Sequence, residues 1–131
     1  MRIVAIDYGR ARTGVAVSDE TGTLARPVGV VERVRSPRGR RALLEQIATL
    51  EPERVVVGMP VTLRGRTGRQ AGETMEFIRE LEAECPVPIE TYDERFTTAL
   101  ATRSADRRSP RGVDAVAAAH LLDGYLRRLA G

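Results

Sequence analysis

Residues 1–18 read MRIVAIDYGRARTGVAVS, and this opening decides the fold. Ile3-Val4-Ala5-Ile6 is an unbroken aliphatic run, the pattern of a strand buried on both faces, and it stops at Asp7. Residues 8–12 contain Gly9, Arg10 and Arg12 and read as a turn. Residues 13–18 (TGVAVS) alternate and are rich in β-branched side chains, which predicts a second strand. DETG at 19–22 is a tight hairpin turn, and residues 28–34 read as a third strand. The expectation is an antiparallel meander whose first member ends in a carboxylate.

Working outward, Ser36-Pro37 has the pairing of a helix N-cap with proline at the first helical position. Leu43, Leu44, Ile47 and Leu50 then follow at helical spacing until Pro52 ends the run. Residues 55–58 (VVVG) predict a short central strand, and 59–69 an Arg- and Gly-containing loop. Residues 70–84 predict a helix with Met75, Ile78 and Leu81 on its apolar side. Residues 89–93 predict a fifth strand, Thr97 or Thr98 a capped short helix, 104–112 an Arg-rich loop, and 113–129 a final helix. The order βββαβαβα implies an α/β fold, a mixed five-stranded sheet flanked by helices.

The length of 131 residues predicts a single domain, 1–131. With 2 Phe, 3 Tyr and no Trp, the core must be aliphatic. No apolar run approaches the ~20 residues needed to cross a bilayer, and Asp7 breaks the first apolar run too early for a signal peptide. Cys85 is the sole cysteine and lies among Glu84, Pro86 and Pro88 without a metal-ligand pattern. The expectation is a cytoplasmic protein that makes no contact with membranes.

Three sets of acids stand out. Asp7 ends a buried strand, where a charge is costly unless it is paired or binds a metal. Gly9 beside it permits close backbone approach to a ligand. Asp93 and Glu94 end another strand, and neighbouring strand residues point to opposite faces, so both cannot serve one metal from regular geometry. Asp114 falls on the helical stripe of Ala117, Ala118, Leu121 and Tyr125, where an acid is unusual. Three carboxylates on separate elements, with His120 as the only histidine, suit hard cations such as Mg²⁺ or Mn²⁺ and not zinc. Two such ions could clamp the attacking and leaving oxygens of a phosphodiester. His120, mid-helix, is expected to be structural.

All 21 basic residues are Arg, the residue that grips phosphate bidentately. They cluster at Arg33, Arg35, Arg38, Arg40 and Arg41; at Arg64, Arg66 and Arg69; and at Arg103, Arg107, Arg108 and Arg111. Positive charge beside a carboxylate site would hold a polyanion against divalent ions. The candidate nucleic-acid contacts are Gly9, Arg10, Arg12, Arg64, Arg66, Arg69, Arg95, Arg107, Arg108 and Arg111.

Five ordered motifs, Ile6-Asp7-Tyr8-Gly9-Arg10, residues 12–19 (RTGVAVSD), Val56-Val57-Gly58-Met59-Pro60, residues 93–98 (DERFTT) and residues 114–118 (DAVAA), together resemble the YqgF/RuvX family over nearly the whole chain. That family is RuvC-like and is assigned to Holliday junction resolution or to pre-16S rRNA processing. The resemblance implies an RNase H-like fold and a divalent-metal-dependent endonuclease, with Mg²⁺ or Mn²⁺, two ions in all, as cofactor. It carries catalytic roles onto Asp7, onto Glu94 or Asp93, and onto Asp114. Glu94 is favoured over Asp93 because its longer side chain can reach round the strand end, so Asp7, Glu94 and Asp114 are the expected metal ligands. RuvC-like resolvases place an acid on the central strand where this chain has Gly58-Met59-Pro60, so the Asp93-Glu94 pair would have to replace it. The family's Lys before the last motif is Arg111 here.

Nucleic acid, as branched DNA or precursor rRNA, is the expected partner, and a two-fold symmetric junction would call for a homodimer. The alternative function is a non-catalytic nucleic-acid or ribosome-associated binding factor, indifferent to Mg²⁺. An ATPase of the actin and sugar-kinase type shares the opening Asp-x-Gly pattern but closes two domains over its nucleotide, and 131 residues allow one.

Overall fold

The alternation seen in the sequence becomes β1 (Ile3–Asp7), β2 (Arg12–Ser18), β3 (Ala25–Glu32), α1 (Pro37–Leu50), β4 (Arg54–Met59), α2 (Arg69–Glu82), β5 (Ile89–Asp93) and α3 (Pro110–Ala130). The computed structural model describes residues 1–59, 68–93 and 110–131, with side chains from residue 115 onward in the last segment. The expected short helix at Thr97 or Thr98 lies outside the described residues. The strands form one mixed sheet in the order β3-β2-β1-β4-β5. β1 runs antiparallel to β2 (Asp7 opposite Gly14) and parallel to β4 (Ile6 beside Val57). β4 runs parallel to β5, with Gly58 beside Tyr92 and Met59 beside Asp93. The carboxyl ends of β1, β4 and β5 therefore share one edge, the edge where such sheets bind ligands.

Strand alternation sends successive side chains to two cores. Val4, Ile6, Val15, Val17, Val55 and Val57 pack with Leu43 and Ile47 of α1 and with Phe77, Ile78 and Leu81 of α2. Ile3, Ala5, Ala16, Val56 and Tyr92 pack with Ala118, Leu121, Leu122, Tyr125 and Leu126 of α3. Both faces are covered, which explains why β1 and β4 read as continuous apolar runs. Each fully buried Leu or Ile contributes roughly 1.5–3 kcal/mol. Among the described residues no helix is long and apolar enough to cross a membrane.

Several expectations are corrected. The third strand spans Ala25–Glu32 rather than 28–34, because pairing with β2 starts at Ser18–Ala25, directly after the turn. Pro27 is tolerated there because β3 is an edge strand. The register breaks at Val15/Ala16, whose partners are Gly29 and Pro27, so Val28 is the extra residue of a bulge. Val34 is buried, at 1% exposure, but lies beyond a left-handed turn at Arg33 (φ 45°), so its hydrophobicity reports burial and not a strand. Met75 is exposed, and α2 buries Ala71, Thr74, Phe77, Ile78 and Leu81 instead. Thr74 can be buried because its Oγ1 donates to the Gln70 carbonyl at 2.8 Å. On α3 the buried stripe runs through Ala115, Ala118, Leu121, Leu122, Tyr125 and Leu126, while Ala117 is half-buried. α3 begins at Pro110, inside the stretch expected to be loop, since proline suits a first helical turn.

The entry to α1 is tightly built. Ser36 Oγ accepts from Gly39 N at 3.1 Å and donates to the Arg33 carbonyl at 2.7 Å. A Cβ at Gly39 would lie 2.1 Å from that same carbonyl oxygen, so only glycine fits. α1 ends at Glu51 in the left-handed region (φ 48°), ahead of Pro52. Across the outer surface, Glu80 of α2 accepts from Arg35 at 2.7 Å and from Arg40 at 3.0 Å. The Arg35 guanidinium holds the Glu80 carboxyl below its usual range. Part of the first arginine cluster thus braces α1 against α2.

Candidate active site

Asp7 shares its side of β1 with Ile3 and Ala5, the face covered by α3, and is half-buried. Its antiparallel neighbour is Gly14. On the other side, the pairing of Ile6 with Val57 puts it level with Gly58. Gly14 and Gly58 fall on the same face as Ala16 and Val56, by alternation. The carboxylate of Asp7 is therefore flanked on both neighbouring strands by residues that contribute no side chain. Glycine inside a strand weakens it and marks close approach of a ligand or backbone. Both glycines stand in the sequence within β-branched runs, the signal that could have singled them out.

The turn after Asp7 is pinned from within. Thr13, fully buried, accepts from Gly9 N at 3.3 Å and donates to the Gly9 carbonyl at 3.1 Å. A Cβ on Gly9 would lie 2.2 Å from the Arg12 carbonyl oxygen. The turn itself therefore requires glycine at this position. Tyr8 crosses to the opposite face and stacks on Phe77 of α2, with ring centroids 4.9 Å apart. Arg33 N donates to the Ala11 carbonyl at 3.0 Å and ties the turn to the start of the α1 entry.

The other candidates divide. Asp93 follows Tyr92, which faces α3, and pairs in register with Met59, which packs toward α1 and α2. Asp93 therefore lies on the face opposite Asp7. Its strand is two spacings from β1, roughly 10 Å. Asp114 belongs to α3, the helix over the Asp7 face, and stands four residues before Ala118 in helical register. Its side chain and that of Arg111 lie outside the described residues, as do Glu94, Arg64, Arg66, Arg95, Arg103, Arg107 and Arg108. Among the described residues no three potential metal ligands come together. Of the three predicted ligands, only Asp7 has a described side chain.

Arg12 is exposed at the start of β2. Arg10 forms a forked ion pair with Glu73 of α2: Nη2 contacts one carboxylate oxygen and Nε donates to the other at 3.3 Å. Arg69 is the first residue of α2 rather than part of a loop, and with Tyr8, Arg10, Gln70 and Glu73 it lines a cleft of about 390 Å³. Glu73 pairs with an arginine 63 residues away in the sequence, so no local pattern announces it. His120 is half-buried on α3, and Cys85 packs half-buried against the α1/α2 core, its thiol pushed up by burial.

A mixed sheet between helical layers, with an acid at the carboxyl edge of its central strand, defines an RNase H-like protein. Solved structures agree on the fold. A Thermus thermophilus RuvC in complex with a Holliday junction substrate superposes with a TM-score of 0.61 at 23% identity, covering 100% of this chain and 98% of that one. A fowlpox virus resolvase with Holliday junction DNA gives a TM-score of 0.59 at 12% identity, with both chains covered completely. The family model RuvX, described as Holliday junction resolvase, matches residues 1–128. A relative from Desulforudis audaxviator named "Putative pre-16S rRNA nuclease" is 40% identical over 96% of this chain and 94% of its own length. A relative of the same name from Moorella thermoacetica is 38% identical over 98% and 96%. The chain belongs to the RuvX family, and the expected RNase H-like fold and nuclease class stand with that membership.

Proposed function

We propose that this chain is a single-domain, cytoplasmic endonuclease that hydrolyses nucleic-acid phosphodiesters with Mg²⁺ or Mn²⁺ held by Asp7, Glu94 and Asp114. The observation that carries it is the setting of Asp7: half-buried at the carboxyl edge of the central parallel strand, on the face α3 covers, between Gly14 and Gly58. Such an all-oxygen donor set suits a hard cation, and the flanking glycines leave its approach unobstructed by side chains on the adjacent strands. Asp93 lies on the other face, which favours Glu94 as the acid of that pair.

When bound, two divalent ions supply an activated water and neutralise charge at the scissile phosphate. Asp7 is held rigid by a strand paired on both sides and by the Thr13-pinned turn that follows it. The Arg-rich segments would hold flanking phosphates, placing the reacting bond near Asp7. A four-way junction as substrate would require two copies of the chain, matching its two-fold symmetry.

The test is cleavage of labelled four-way DNA junctions and structured precursor rRNA with Mn²⁺ or Mg²⁺, wild type beside Asp7→Asn. Asp7→Asn is expected to fold normally and lose at least about 100-fold in rate, beyond the ~10–100-fold typical for an outer partner of a metal ligand. Paired symmetric cuts in the junction point to a resolvase acting as a dimer, and cuts confined to RNA to rRNA maturation. An active Asp7→Asn protein, or metal-indifferent binding without cleavage, contradicts the proposal.

A further inference from the structure

Arg10, in the β1–β2 turn, has a forked partner in Glu73, an acid that lines a cleft with Tyr8, Arg69 and Gln70. The guanidinium presents Nε and Nη2 to the two oxygens of Glu73, the side-on fork that guanidinium also uses for two non-bridging oxygens of a phosphodiester. Carboxylate and phosphodiester each carry one negative charge on a pair of terminal oxygens. Arg10 is 74% exposed, so strand and solvent can reach it, whereas Glu73 is 21% exposed and held on the helix. The cleft around the pair adds Arg69, Gln70 and the edge of Tyr8. α2 begins at Arg69 behind an N-cap glycine, Gly68, that makes no side-chain cap hydrogen bond, and its first turn carries no acid. The mutual hydrogen bond raises the Arg10 pKa and lowers that of Glu73, so both stay charged across the neutral range.

We infer that Glu73 occupies on Arg10 the place of a backbone phosphate, and that the Tyr8/Arg10/Arg69/Gln70 cleft is a phosphate subsite for the substrate strand, entered when the phosphate displaces Glu73. The inference rests on the phosphodiesterase reading above and adds to it a position for the strand, three residues beyond Asp7 along the turn. Glu73 sets the affinity of the subsite: the strand gains a phosphate contact only by exchanging one anion for another on Arg10. Exchange of like for like adds little net binding and keeps non-specific affinity low. Arg35 and Arg40 make the contrasting case, since they share Glu80 between them and brace two helices.

The experiment is equilibrium binding of a labelled four-way DNA junction, and of an RNA hairpin, to the full chain in EDTA over a salt series. Glu73→Gln keeps the side-chain shape and removes the competing charge. It is expected to bind both probes more tightly than wild type at ~50 mM salt. Its slope of log affinity against log salt should be steeper by about 0.7–0.9, one extra phosphate contact. That advantage should shrink roughly threefold between 50 and 200 mM. Arg10→Gln combined with Glu73→Gln should abolish the gain. Wild-type slope and affinity in a folded Glu73→Gln protein, or a gain that survives loss of Arg10, overturns the inference. In either case, metal-dependent cleavage of the same probes by wild type would leave the nuclease reading standing. Absence of both binding and cleavage would overturn the two together.

Discussion

On the face covered by α1 and α2 the sheet contributes Val4, Ile6, Val15, Val17, Val55 and Val57, large aliphatic side chains with Tyr8 and Phe77 stacked above them. On the α3 face the same strands contribute Ala5, Ala16, Val56 and Ile3, and toward the carboxyl edge Gly14, Asp7 and Gly58. One face is filled with bulk and sealed at its rim by Arg35, Arg40 and Glu80. The other sets Ala5 and Ala16 beside Ile3 and Val56, and ends at its edge in a carboxylate between two glycines. Because side chains alternate along each strand, one backbone can present bulk to one face and a carboxylate to the other. The cost is a pair of strand glycines, each weakening its strand by roughly 0.5–1 kcal/mol relative to alanine.

The comparison can be broken in steps of decreasing size. Leu43→Ala, on the bulky face, should cost about 2–5 kcal/mol in denaturant unfolding. The folded fraction should retain its cleavage rate per molecule. A folded Leu43→Ala protein with lost activity would mean the faces are not separable. The next step sets Gly39→Ala against Gly9→Ala. Each new Cβ would fall within 2.2 Å of a carbonyl oxygen. Gly39→Ala should cost on the order of 1–3 kcal/mol, the range for forced overpacking, with activity retained. Gly9→Ala should reduce cleavage more than it lowers Tm, because the turn it distorts carries Asp7 at its base.

The smallest effect belongs to Glu80. Its pKa is lowered by Arg35, so its contribution is present above the ordinary glutamate value of about 4.5 and is lost as pH falls through the lower folded value. Glu80→Gln should therefore be less stable than wild type at neutral pH by about 0.2–1 kcal/mol per broken pair, as for exposed ion pairs. The Tm gap should close below about pH 4.5. A gap that widens in acid would contradict this role.

The sequence announced most of the fold because its strands alternate or run apolar and its first helix carries a local cap at Ser36-Pro37. It misled where burial and polarity part company. Thr74 is buried with its hydroxyl satisfied inside the helix, while Met75 is exposed. Val34 is buried without being in a strand. Asp7 was legible as a charge ending an aliphatic run. The separation of Asp93 from it follows from register across β4, which no local pattern encodes. The ion pairs of Arg10 and Arg35 were hidden for the same reason: their partners lie 63 and 45 residues away.

The most direct test of the two-face account compares Asp93→Asn with Glu94→Gln in metal-dependent cleavage of a four-way junction and precursor rRNA, each variant first shown to fold. The account predicts that Glu94→Gln loses activity to the extent Asp7→Asn does, and that Asp93→Asn stays within a few-fold of wild type. Loss of activity in Asp93→Asn with Glu94→Gln intact would place the second acid on the α1/α2 side and contradict it.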